Sequence, residues 1–104
     1  MAENISGKLP YTSTIVASGE LWVCERRVFK DFNERELFWH RDKEDREIRL
    51  VEGSIELQLE NRMPIKLKPY QGYLIPKMCY HRVIAVADFT IDVYKYIDII
   101  QRGK

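Results

Sequence analysis

The clearest pattern in the chain is at residues 54–60, SIELQLE, where Ile55, Leu57 and Leu59 alternate with Ser54, Glu56, Gln58 and Glu60. That period of two marks a strand with one buried face. Ile65-Lys66-Leu67 repeats it after a turn at Asn61-Arg62-Met63-Pro64. Residues 11–17 (YTSTIVA) are rich in β-branched types and predict a first strand, and Ser18-Gly19 a turn. A second strand follows over 20–29, and a polar loop over 30–36. LFWH at 37–40 re-enters an extended run, RDKEDRE at 41–47 is a charged turn, and EIRLVEG at 47–53 a further strand. Residues 73–76, 81–86 and 89–97 complete the set, with a turn at 77–80. The segment 41–47 is too short for a stable helix and carries no apolar stripe. The last residues, 96–102, fit a terminal turn or a continued strand. About eight short strands at regular spacing predict an all-β, single-domain antiparallel barrel or sandwich.

Composition narrows the function classes. One domain is the expectation for 104 residues, with residues 1–10 a flexible N-terminal segment. Lys and Arg together number 17 against 16 Asp and Glu, which argues against a nucleic-acid partner, since phosphate neutralisation calls for a basic excess. No apolar run reaches the roughly 18 residues of a spanning helix, and the polar start MAENISGKLPYTST lacks a signal-peptide core. The expectation is a cytoplasmic protein without membrane attachment. Cys24 and Cys79 form no CxxC pair or metal cluster, and are expected to be buried or half-buried free thiols.

The two histidines, His40 and His81, each lie beside a turn. His40 and Asp42 are two apart, so on an extended chain they point to the same face, and a group from another strand can join them. Counting back by twos from Leu50 through Ile48 places Arg46 inward and Glu47 outward, unless a bulge exchanges them. Phe38, Trp39, Tyr70, Tyr73, Tyr80, Tyr94 and Tyr96 could line a pocket or stack on a sugar ring, but such residues on strands are more often core or cross-strand pairs. The run Arg41 to Glu47 reads as a solvated loop at the barrel mouth. Arg26-Arg27 reads as a small anion patch or, more simply, a solvated strand edge. Cys79 and His81 share a face, but nothing else supports an activated thiolate, and no Gly-rich phosphate loop or GxSxG is present.

The segment His40-Arg41-Asp42-Lys43-Glu44-Asp45-Arg46, followed after six residues by Gly53, resembles the first cupin motif: His-x-His, three or four residues, Glu, six residues, Gly. Pro76-Lys77-Met78-Cys79-Tyr80-His81 resembles the second, Pro-x-Gly-x-x-His. The resemblance covers about residues 36–96. It implies a small antiparallel barrel or jelly roll, often dimeric, with a metal held by both histidines and the glutamate of the first motif and the histidine of the second. Position by position, the chain keeps His40 and His81. Asp42 stands where the second histidine is usual and Arg46 where the glutamate is. Met78 replaces the glycine of the second motif, and Ala85 its usual asparagine.

Three readings of the site follow. In the first, His40, Asp42 and His81 bind a divalent metal (Fe, Mn, Ni or Zn) as a two-histidine, one-carboxylate triad. Arg46 then opposes the metal unless a carboxylate or anionic ligand sits between them, or it grips a substrate carboxylate or phosphate. In the second there is no metal, and an Asp42–Arg46 ion pair fills its space while the histidines meet a small molecule. In the third the pocket has no function. The favoured function is binding of a small molecule, a sugar or carboxylate metabolite, by His40, Asp42, Arg46 and His81. The alternative is a metal-dependent enzyme of dioxygenase or isomerase type. A homodimer is expected, with strand 11–17 exchanged or paired between subunits.

Overall fold

The computed structural model describes residues 11–30 and 38–97. The expected flexible segment 1–10, most of the loop 30–36, Leu37 and the residues after Ile97 lie outside the described residues. Eight strands form where the alternation places them: β1 (Thr12–Ser18), β2 (Trp22–Phe29), β3 (Arg46–Glu52), β4 (Glu56–Leu59), β5 (Ile65–Lys66), β6 (Gly72–Ile75), β7 (His81–Ile84) and β8 (Phe89–Tyr96). No helix occurs among the described residues, and so none is long and apolar enough to cross a membrane.

The strands make two antiparallel sheets, one ordered β1-β2-β8-β3-β6 and the other β5-β4-β7. Their facing sides are supplied by alternate residues. In β3 these are Arg46, Ile48 and Leu50, and in β8 Phe89, Ile91 and Val93. Ile55, Leu57, Leu67, Ile75 and Ala85 complete the core with Phe29. Phe29 and Phe89, paired across β2 and β8, stack with ring centroids 4.3 Å apart. Fully burying each such side chain stabilises the fold by about 1.5–3 kcal/mol. The outer face of the larger sheet is also covered, because Trp22 leans on Tyr94 and Arg26 forms a two-bond ion pair with Asp92. Cys24 beneath them is 1% exposed. Both cysteines are free, as expected.

Gly53 closes the first motif for a steric reason. Its φ is 102°, and a Cβ there would lie 2.7 Å from the Cβ of Phe89 and 2.9 Å from the Asp88 carbonyl. Only glycine takes that turn without strain. The irregularity in β3 falls between Leu50 and Glu52, beyond the stretch where it would have turned Arg46 outward.

Candidate functional site

The site begins with an isolated antiparallel bridge. The His40 amide donates to the His81 carbonyl (3.0 Å) and the His81 amide to the His40 carbonyl (2.8 Å). Opposed residues of an antiparallel pair share a face, so the two rings come together with centroids 4.2 Å apart. The segment after His40 is fixed by the turn before His81. The Met78 amide donates to the Asp42 carbonyl (2.7 Å) and the Lys77 amide to the Asp45 carboxylate (2.8 Å). Met78 has φ 64°, a left-handed conformation that costs a side-chain-bearing residue about 1–2 kcal/mol. That is why glycine is the usual residue at this motif position.

His40, Asp42 and His81 therefore converge as their spacing suggests, each offering one ligand atom within 4.8 Å of the others. The Nδ1 of His40 lies 3.0 Å from the Phe38 carbonyl and the Nδ1 of His81 2.9 Å from the Cys79 carbonyl. A carbonyl only accepts, so each Nδ1 carries a proton, and in its neutral form each ring presents the lone pair of Nε2. Those nitrogens face the same carboxylate oxygen: Asp42 Oδ2 is 3.3 Å from Nε2 of His81 and 4.0 Å from Nε2 of His40. Asp42 Oδ2 is buried and has no hydrogen-bond partner. Burial pushes the His81 pKa below its ordinary 6.5. His40 and Arg46 nearby add to the shift, against the opposing pull of the Cys79 carbonyl and Asp42. A proton on Nε2 of His81 is thus disfavoured, and Nε2 of His40, Nε2 of His81 and the Asp42 carboxylate form a convergent set of possible ligand atoms. An orphaned buried acceptor costs about 1–3 kcal/mol. A cation at that point removes the cost, and ring nitrogens oriented through Nδ1–H bonds to carbonyls are how proteins prepare histidines as metal ligands.

Arg46 does pair with Asp42, but not in the space between the histidines. Its Nη2 lies 3.3 Å from Asp42 Oδ1, and its Nε donates to Glu44 at 2.5 Å. The Asp42 carboxylate is divided, with Oδ1 toward Arg46 and Oδ2 toward the histidines. The carboxylate thus sits between Arg46 and the point where the three donors meet, and Glu44 offsets the guanidinium from the other side.

His40, Asp42, Arg46 and His81 line a cavity of about 310 Å³, at the small end of the range for ligand pockets. Its walls are Phe29, Ile48, Ile75, Val83, Ile91 and Val93, and a second guanidinium, Arg27, also reaches it. The sequence reading puts Arg27 in a possible surface anion patch and Glu44 in a solvated loop, and misses that Arg27 lines the cavity and that Glu44 holds Arg46. The signal was present in both cases as an acid two residues before an arginine, Glu44-x-Arg46 and Glu25-x-Arg27, a spacing that shares a face on extended chain. The reading of Arg26-Arg27 as a strand edge is corrected: β2 lies between β1 and β8, so Arg26 faces outward to Asp92 and Arg27 inward.

Other expectations also change. The run 41–47 is not uniformly solvated: Asp42, Glu44 and Arg46 are half-buried while Arg41, Lys43 and Asp45 are exposed. Phe38, Trp39, Tyr70 and Tyr80 are exposed rather than core. Trp39 and Tyr80 neighbour the inward histidines and so point outward, where Arg82 and Arg41 stack on them. Tyr73 does pack against the core, and Tyr94 and Tyr96 are half-buried. The Cys79 thiol contacts the Tyr80 carbonyl, and it is the Cys79 carbonyl that meets His81.

No protein-family model and no curated protein matches the chain. Solved structures do. An RmlC-like cupin from Methanocaldococcus jannaschii with a double-stranded β-helix fold aligns with TM-score 0.68 and 13% identity over 100% of this chain and 99% of that one. KdgF from Halomonas sp. aligns with TM-score 0.68 and 18% identity over 91% and 88%. The DMSP lyase DddQ from Ruegeria pomeroyi DSS-3 aligns with TM-score 0.75 and 11% identity over 94% of this chain and 52% of that one. The two sheets, their strand order and these likenesses agree: the chain has the double-stranded β-helix fold of the cupins.

Proposed function

We propose that this protein binds one divalent metal ion through His40, Asp42 and His81, and a small metabolite, a sugar or a carboxylate, in the cavity beside it. The observation that carries the proposal is the buried, partnerless Oδ2 of Asp42 facing two imidazole nitrogens whose protons are committed to carbonyls on the far side of each ring. Fe, Mn, Ni and Zn all accept this donor set. A bound ion supplies Lewis acidity to a ligand oxygen that reaches it. The chain's own residues do the rest. Phe29 and the aliphatic walls give the cavity an apolar lining, and the Phe38 and Cys79 carbonyls orient the imidazoles through their Nδ1 atoms. Arg46, paired with both Asp42 and Glu44, holds the Asp42 carboxylate in place.

Metal content of purified, untagged protein, measured by elemental mass spectrometry, tests this. The expected result is a near-stoichiometric divalent ion that disappears in His40→Ala and His81→Ala. Absence of metal after incubation with each of the four ions overturns it.

The proposal includes a homodimer formed through β1. Every residue of that edge strand is exposed, Ile15 and Val16 among them, and an uncovered edge favours pairing. A monomer in sedimentation at micromolar concentration refutes it.

A further inference from the structure

The cavity has a second charged pole that the metal-ligand set does not use. Arg27 points into it from β2 and is tightly held. One oxygen of Glu25 accepts from its Nε (2.9 Å) and its Nη2 (2.8 Å). The Tyr11 ring lies under its guanidinium carbon, 4.5 Å from the centroid. Glu25 is itself fixed by Ser13 and by Lys95 Nζ at 3.2 Å. The Arg27 side chain is 14% exposed, so this is not a solvated surface arginine. Its Nη1 group has no partner among the described residues. An arginine held rigidly along one edge while it lines a cavity is preorganised to take a planar anion on its remaining donors.

Register places this pole away from the first. Arg27 is level with Ile91 of β8 while Arg46 is level with Lys95. The two backbones are therefore about 13 Å apart along the strands and about 10 Å apart across them. Between them lie the apolar walls of Ile48, Ile91 and Val93. The cavity thus has an oxygen-binding end, an apolar middle and an anion-binding end.

We infer that the ligand is a small aliphatic carboxylate with a second oxygen function. Its carboxylate is received by Arg27, its short carbon chain lies along the apolar walls, and its second oxygen is directed to the end formed by His40, Asp42 and His81. A sugar, polar along its whole length, matches the middle poorly. This inference rests on the metal reading above and adds to it the class of ligand and the residue that selects it.

The test is calorimetric titration of metal-loaded protein with linear dicarboxylates from succinate to adipate and with the monocarboxylates of equal length. Wild-type protein is expected to bind at least one dicarboxylate tenfold or more tightly than its monocarboxylate. That gap closes in Arg27→Gln. Because Arg27→Gln leaves Glu25 buried without its main partner, the double variant Glu25→Gln/Arg27→Gln is measured beside it, with metal content recorded for every variant. A wild-type protein that holds metal but shows no gap overturns the inference alone, as does a gap that survives in both variants. A wild-type protein that holds no metal overturns the metal reading first, and this inference with it.

Discussion

Replacing Asp42 by Asn separates a metal site from a structural ion pair, because the two cases give opposite signs. In metal-free protein Asp42 Oδ2 is buried and unpartnered, 3.3 Å from an imidazole nitrogen that can only accept. An amide at this position can donate from Nδ2 to that nitrogen while its oxygen keeps the contact to Arg46. Satisfying the orphaned position recovers about 2 kcal/mol, and loss of the charge-assisted part of the Arg46 contact costs about 1 kcal/mol. Chelator-stripped Asp42→Asn is therefore expected to be about 1 kcal/mol more stable than wild type, or roughly 4–8 °C in Tm for a domain near this size. With a metal at a thousandfold excess over its Kd, wild type gains about 4 kcal/mol, while the variant, short of its anionic ligand, gains far less. Thermal unfolding followed by circular dichroism, with chelator and with Mn(II) or Zn(II), reads both signs. An Asp42→Asn protein that is less stable than wild type when stripped, or that gains as much from metal, refutes the reasoning.

Two further outcomes follow from other parts of the fold. Burial pushes the Glu25 pKa up, but hydrogen bonds from Ser13, Arg27 and Lys95 outweigh it and hold the carboxyl at about 2 against an ordinary 4.5. A depressed carboxyl stabilises the fold above the unfolded value, so this contribution is complete above pH 4.5 and is lost as pH falls toward 2. At 1.36 kcal/mol per pH unit it is about 3 kcal/mol. Urea midpoints between pH 6 and pH 3 should fall more steeply in wild type than in Glu25→Gln, the comparison cancelling the acid sensitivity of His81; parallel curves contradict this. At Met78, relief of the left-handed conformation by Met78→Gly recovers about 1–2 kcal/mol and added chain entropy costs about 0.5–1 kcal/mol. The urea midpoint should rise at unchanged slope, and a fall shows that the side chain contributes more than its exposure suggests.

Most of this architecture was legible because β-strand alternation is a local property. Ile55, Leu57, Ile48 and Leu50 declare their buried face from sequence, and β3 keeps its phase because its irregularity lies past Leu50. The convergence of His40, Asp42 and His81 was legible from spacing and motif order. What escaped depends on which strands become neighbours. Arg27 looks like half of a basic pair until β2 is placed inside the sheet. Trp39 and Tyr80 look like core until the bridge between His40 and His81 takes the inward positions. The division of the Asp42 carboxylate between Arg46 and the histidines is a matter of side-chain rotamers, which sequence spacing does not specify.

The most direct test of the metal site is anomalous diffraction from crystals of protein loaded with Mn(II), Fe(II), Ni(II) or Zn(II). The expected result is one anomalous peak per chain within bonding distance, about 2.0–2.2 Å, of His40 Nε2, His81 Nε2 and Asp42 Oδ2. A peak elsewhere, or a site in which Asp42 Oδ2 is hydrogen-bonded to a protonated His81 with no ion among the three atoms, contradicts it.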